Sequence, residues 1–341
     1  MSPKTPRSNR TIRLRTAVLA MVGALGSTVL SACQQPAADA GSVRIGYSAW
    51  PGWFPWAVTE AKDLFAKAGV NANVQWFDGY LDSINALNAG QLDCNSQTLN
   101  DTISSVAGGA DLVVVLQNDN STGNDQIIVD AAISSVADLK GKSVAAEEGT
   151  VDHYLLLKVL KDGGVQASEI TFVPLETGAA AAAFVAGQVD AAGVYAPFTT
   201  QALKRPGSKV LATSADHPGA ISDLLVCRRE VVEKNPEAIQ QVVNAWFATL
   251  QLIQSDPAAT LPVLVQRAGV SEQEFKEYDA GTTILSLAEN RTNFQPGNTM
   301  TSLPYAAEQI SSFLVEVGLA ASKPDLSGLF DSRFVDNAEQ P

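Results

Sequence analysis

The sequence predicts an α/β protein made of two similar lobes with a ligand held between them. Three observations carry this. Short apolar strand-like runs alternate with helix-length amphipathic runs, the pattern of a parallel or mixed sheet covered by helices. One phrase occurs twice, Ala89-Gly90-Gln91-Leu92-Asp93-Cys94 and Ala186-Gly187-Gln188-Val189-Asp190-Ala191, each time closing a small apolar helix and opening a short strand. Between the copies, Asn118-Asp119-Asn120-Ser121-Thr122-Gly123-Asn124 is a polar, turn-rich stretch that reads as a crossover between lobes.

Each element has a local reason. Residues 43–47 form a first strand. Pro55 opens a helix at its favoured first position, with Ala57, Ala61, Leu64, Phe65 and Ala68 on one face and Gly69 as its stop. Val70, Ala72, Val74 and Trp76 alternate with polar residues as a strand does. A helix over 81–89 ends at Gly90; a strand at 92–95, a helix at 102–107 and a strand at 112–116 follow. Beyond the crossover, strands at 126–129, 143–146, 170–174, 191–194 and 209–212 alternate with helices at 151–161 and 179–186, and a loop at 214–219 ends the series.

From Ser222 the pattern is mainly helical. After one more strand at 224–227, Asn235 caps a helix begun by Pro236, with Ile239, Val242, Val243, Trp246, Phe247, Leu250 and Ile253 at helical spacing. Pro257 opens another helix, Ser271 and Glu274 make a capping box, and 300–317 is the last long helix, stopped by Gly318. A chain that builds one lobe, then a second, then returns accounts for this order. Lobe 1 takes 43–118 and 222–331, lobe 2 takes 119–221, and 332–341 is a C-terminal tail.

Composition narrows the function. With 341 residues and 46% hydrophobic content the chain can bury two ordinary cores. Lys+Arg 23 against Asp+Glu 36 gives a net charge of -13, which argues against nucleic acid as a partner. The N-terminus differs from the rest. Lys4, Arg7, Arg10, Arg13 and Arg15 precede an apolar run over 17–30 that ends in Leu30-Ser31-Ala32-Cys33. Residues 1–32 thus read as a secretory signal peptide, too short in its apolar part to span a membrane. Residues 33–42 read as a tether, and removal of those five cations leaves -13 minus 5, or -18.

Cys94 and Cys227 sit in or beside apolar strands, where a buried thiol is the favoured reading; a bridge becomes possible if the two strands are neighbours. His153 and His217 stand far apart, and no His or Cys spacing points to a metal; no cofactor is expected. The chain also has no Gly-x-Ser-x-Gly elbow, phosphate loop or paired-carboxylate signature, so binding rather than catalysis is expected.

Several motifs together resemble a known family. They are Val43-Arg44-Ile45-Gly46-Tyr47, the stretch Ser135-Val136-Ala137-Asp138-Leu139-Lys140-Gly141-Lys142-Ser143-Val144, and Gly149-Thr150 at a helix start. Gly187-Gln188-Val189-Asp190-Ala191-Ala192 with Pro197, and Asn235-Pro236-Glu237-Ala238, complete the set. In this order they resemble the ABC-importer substrate-binding proteins of the nitrate/sulfonate/taurine type, over nearly all of the mature chain. The Leu-Ser-Ala-Cys ending resembles a bacterial lipobox, which implies cleavage before Cys33 and lipidation of its thiol. The resemblance implies the type II periplasmic-binding-protein fold, two α/β lobes joined by two crossover segments. It also implies a monomer on the outer side of the cell membrane, closing on a small solute and delivering it to an ABC permease and its ATPase. The alternatives are a ligand-sensing lipoprotein without transport, or an enzyme similar to the pyrimidine synthases on the same fold.

Ligands of open α/β sheets sit beyond the carboxyl ends of strands. Those ends place Ser48, Trp50, Trp53, Tyr80, Gln97, Thr98, Asp101 and Asn118 in lobe 1, and Glu147, Gly149, Thr150, Glu176 and Tyr195 in lobe 2. Asp93 and Asp190 read as structural. The chain departs from the family at Ser48-Ala49-Trp50-Pro51-Gly52-Trp53-Phe54-Pro55-Trp56, a run rich in Trp. No Lys or Arg falls on these loops, whereas Asp101, Glu147 and Glu176 do. Aromatic faces beside carboxylates suit a neutral heteroaromatic or a cationic amine better than a sulfonate.

Overall fold

A computed structural model describes residues 42–339. The signal-peptide segment, Cys33 and nearly all of the tether lie outside them. In chain order the strands are β1 (Val43–Tyr47), β2 (Ala72–Trp76), β3 (Cys94–Thr98), β4 (Leu112–Ser121), β5 (Asp125–Val129), β6 (Ser143–Ala146), β7 (Thr171–Pro174), β8 (Ala191–Tyr195), β9 (Lys209–Thr213), β10 (Ser222–Arg228) and β11 (Thr282–Ile284).

They form two sheets, in the orders β11-β4-β10-β3-β1-β2 and β7-β6-β8-β5-β9. In the first, β1 runs parallel to β2 and β3, and β10 lies antiparallel between β3 and β4. In the second, β6 runs parallel to β7 and β8, and β5 lies antiparallel between β8 and β9. Each sheet is thus a parallel trio followed by antiparallel strands, three in the first sheet and two in the second. The fold is the two-lobe, type II arrangement. The repeated phrase opens β3 and β8, which hold corresponding places.

The repeat's aspartates fasten this frame. Asp93 accepts hydrogen bonds from the Arg44 backbone N–H and from its guanidinium, at 2.7–2.9 Å, and pins the start of β3 to β1. Asp190 accepts from the backbone N–H and hydroxyl of Ser143, at 2.8 and 2.7 Å, and pins the start of β8 to β6. The first lobe's core is completed by the helix Pro236–Ser255, whose Trp246 packs on Trp56 with ring centroids 4.6 Å apart. Each such fully buried large side chain contributes roughly 1.5–3 kcal/mol.

Four expectations change. The stretch from Asn118 is not a turn: β4 runs on through Ser121, because β10 and β11 pair with it on both sides and satisfy its backbone. Only 122–124 turn, around Gly123 at φ 147°. The helix from Pro55 is two, Pro55–Ala61 and Leu64–Lys67, broken at Asp63, which takes a left-handed conformation (φ 54°) that Asp tolerates better than most residues. Asn235 makes no side-chain cap bond, and that helix starts on Pro236 alone, whereas Ser271 and Glu274 form their reciprocal box. Cys94 and Cys227 are not free thiols: they lie directly opposite each other on antiparallel β3 and β10 and form a disulfide.

Residues 332–339 also do more than trail. Phe334 and Val335 are buried, and Arg291 donates to the carbonyls of Val335, Asp336 and Ala338. Among the described residues no helix is long and apolar enough to cross a membrane.

Candidate ligand-binding cleft

The carboxyl ends of β1, β3 and β8 and the amino ends of β5 and β10 meet at one small cavity. Trp50 and Trp53 come from the short turn after β1, and Tyr80 from the start of the helix Tyr80–Asn88. Thr98 ends β3 and Tyr195 ends β8. The wall is completed by Asp125 at the start of β5, Val151 at the start of the helix Val151–Asp162, and Ile221 and Asp223 at β10. The remaining space is tight: only about 10 Å³ takes the centre of a water-sized sphere, room for about one water.

The four rings follow one another in a closed circuit. Centroids lie 6.4 Å apart for Trp50 and Trp53, 5.5 Å for Trp53 and Tyr80, 6.3 Å for Tyr80 and Tyr195, and 6.2 Å for Tyr195 and Trp50. Three rings come from the first sheet's lobe and one from the second's, so the box is complete only when the lobes are together.

Carboxylates surround it. Asp101, Asp119, Asp125, Asp152, Asp223 and Glu147 are all buried. Trp50 Nε1 donates to Asp119 Oδ1 at 2.9 Å, and Gly52 makes that approach possible, since a Cβ there would lie 2.0 Å from Asp119 Oδ2. Asp101 Oδ2 accepts from the Tyr80 and Thr98 hydroxyls, each at 2.8 Å. Thr177 Oγ1 lies 2.6 Å from Asp152 Oδ2 and 3.3 Å from Glu147 Oε2. Asp125 Oδ2 and Asp223 Oδ2 have no hydrogen-bond partner within the protein, nor does Trp53 Nε1.

Burial, more than any neighbour, pushes these acids upward, because the charged form loses its water. Asp101, Asp125 and Glu147 rise to about 7. Asp152 is raised further, by burial and then by the charges of Asp125, Glu147 and Asp101. Asp119 and Asp223 are a tightly coupled buried pair, and burial drives both up. The charges acting on these acids are other carboxylates.

Two influences cross between the lobes. The backbone N–H of Val151, at the start of the second lobe's helix, works weakly against the rise of Asp101 in the first. The backbone N–H of Leu81, in the first turn of the first lobe's helix, does the same for Glu147 of the second.

Five of the sequence-derived candidates meet at the cavity: Trp50, Trp53, Tyr80, Thr98 and Tyr195. Asp101 and Glu147 stand behind that wall. Ser48 and Asn118 are buried nearby without side-chain partners for Ser48 Oγ or either amide atom of Asn118. Gln97 is held inside its own lobe by Thr102 and Asn95. Gly149 faces a separate open groove, and Thr150 bonds back to the Glu147 carbonyl. Glu176 does not reach the cavity; its carboxylate caps its own helix at Gly178 and Ala179. Asp119, Asp125, Asp152, Val151, Ile221 and Asp223 were not among the candidates. An aspartate set directly against an apolar strand run, as Asp125 and Asp223 are, was the available signal.

The NMT1/THI5 like family model matches residues 50–260. The taurine-binding periplasmic protein of Escherichia coli is 27% identical over 321 residues, 91% of this chain and 98% of its own. Among solved structures, the alkanesulfonate-binding protein SsuA from Xanthomonas axonopodis pv. citri bound to MOPS superposes with a TM-score of 0.73 at 23% identity, covering 87% of this chain and 100% of the other. The periplasmic aliphatic sulphonate binding protein SsuA from Escherichia coli gives 0.68 at 26% identity, covering 85% and 97%.

Proposed function

The chain belongs to the NMT1/THI5-like family, and on that footing we propose that it is the extracytoplasmic solute-binding subunit of an ABC importer. It captures a small organic molecule, of heteroaromatic, amine or sulfonate-like character, between its two lobes and hands it to a membrane permease. One observation carries the reading: one cavity is walled by side chains of both lobes, and its aromatic box takes three rings from one lobe and Tyr195 from the other. A solute touching both walls stabilises closure, because only a difference in affinity between open and closed states can shift their populations. The lobes turn about the two crossings, 122–124 and 214–221.

The names of the sulfonate and taurine relatives support the carrier role and a location outside the cytoplasm. The Leu30-Ser31-Ala32-Cys33 motif supports an anchor through lipidated Cys33. The cavity wall offers no thiol or imidazole, and Cys94 and Cys227 are tied to each other, so the residues favour binding over catalysis. Mass spectrometry of small molecules co-purifying with the native protein would identify the solute. Small-angle scattering then tests the mechanism: adding the solute to stripped protein should reduce the radius of gyration, and no compaction with a confirmed ligand would refute the hinge.

A further inference from the structure

The cleft holds several buried acids and no compensating cation among the residues that wall it. We infer that its solute is a compact organic cation of the ammonium or guanidinium type, boxed by Trp50, Trp53, Tyr80 and Tyr195 and met by the free oxygens of Asp125 and Asp223. This rests on the carrier reading above and narrows it to one class of ligand.

Three observations converge. The four ring centroids form a quadrilateral with sides of 5.5–6.4 Å, so its midpoint lies within about 6 Å of each ring, the range of cation–π attraction. Asp125 Oδ2 and Asp223 Oδ2 belong to wall residues that are 2% and 1% exposed, and neither has a partner within the protein. A buried carboxylate oxygen requires a donor or a counter-charge, and an N–H-bearing cation supplies both. The tightness of the cavity sets the size, since a bulky solute would keep the lobes from reaching this contact.

The competing classes lack such partners. An anion would have to enter beside the buried carboxyl groups of Asp125 and Asp223. The cavity wall contains no Lys or Arg. A neutral heteroaromatic could stack but would leave the acids without counter-charge. Among the described residues no three of His, Cys, Asp or Glu are arranged to hold a metal ion.

Calorimetric titration of the intact mature chain with methylammonium, tetramethylammonium and guanidinium tests this, beside ethanesulfonate, taurine, neutral cytosine, Ca²⁺ and Zn²⁺. At least one organic cation should bind with scattering-detected compaction. Asp125→Asn and Asp223→Asn should each weaken it about tenfold or more, the loss expected for a charge-assisted hydrogen bond. Asn matches the shape of a protonated carboxyl, and circular dichroism checks that both variants fold. Independently of any variant, wild-type affinity for that cation should rise between pH 5 and pH 8 as Asp101, Asp125 and Glu147 ionise. If ethanesulfonate or cytosine binds and compacts the protein while every organic cation fails, the carrier reading stands and this inference falls. Tighter binding of Ca²⁺ or Zn²⁺ than of any organic cation overturns it too, as does an affinity unchanged in both variants. If no probe binds or compacts the chain, both readings fail.

Discussion

Two sets of aspartates in this molecule stand in opposite environments. Asp93 and Asp190 open β3 and β8 and are met by donors: Arg44 and Arg228 for the first, Ser143 for the second. Burial works against the charged form of Asp93, but the hydrogen bonds and charges of those arginines hold its carboxyl below the ordinary range. Asp190 is held down by the Ser143 backbone and hydroxyl. Asp125 and Asp223 are buried with carboxylate neighbours and are pushed up. The first set fastens the frame, whereas the second stores unmet polarity at the cleft. The contrast shows how one residue type serves structure or ligand according to what donates to it.

Experiments can break or sharpen that contrast. The largest effect is expected beside Asp93, where the disulfide ties β3 to β10 across 133 residues of sequence. Replacing Cys94 and Cys227 together by Ala should cost about 2–5 kcal/mol, read as a fall in denaturation midpoint; no change would remove the bridge from the frame. Asp93→Ala follows, at about 2 kcal/mol, because it leaves a half-buried Arg44 without its partner. If Asp223→Asn destabilises as much as Asp93→Ala, the division into frame and cleft is wrong.

The pH dependence separates the sets next. A depressed carboxyl such as Asp93 contributes stability above its unfolded value, near 3.8, that is lost on further acidification. A raised carboxyl such as Asp125 works in reverse. Between its unfolded value of 3.8 and its folded value of about 7, the native state holds a proton that the unfolded chain has released. Stability from this group therefore falls as pH climbs through that window. The ligand-free protein should melt at a lower temperature at pH 8 than at pH 5, and Asp125→Asn should flatten the decline. A melting temperature that rises steadily from pH 5 to pH 8 would contradict the burial of these acids. The smallest effect belongs to Asp190→Ala, about 1 kcal/mol for its exchanged hydrogen bonds with Ser143.

Much of this was legible in the residues. Alternating strands and helices, and the doubled phrase, carry the two-lobe fold. Trp50, Trp53, Tyr80, Thr98 and Tyr195 reach the cavity because position after a strand end is a local property. The acids at the cleft were hidden for a different reason. Asp119 lies in a polar stretch whose composition signals a turn, and only pairing with β10 and β11, distant in sequence, turns that stretch into strand. Asp223 likewise becomes a wall residue through the return of the chain after β9. The disulfide was unreadable on the same ground: two cysteines 133 residues apart become partners only once β3 and β10 are neighbours. Glu176 shows the converse error, since a strand-end acid can be consumed by its own helix.

The central claim is that the cleft acids await a positive charge, and proton exchange on binding tests it most directly. Titration at pH 7 in two buffers of different ionisation enthalpy reports the protons moved. Binding of an organic cation should release protons as the raised carboxyls ionise around it. Proton uptake, or binding with no exchange at all, would contradict the account.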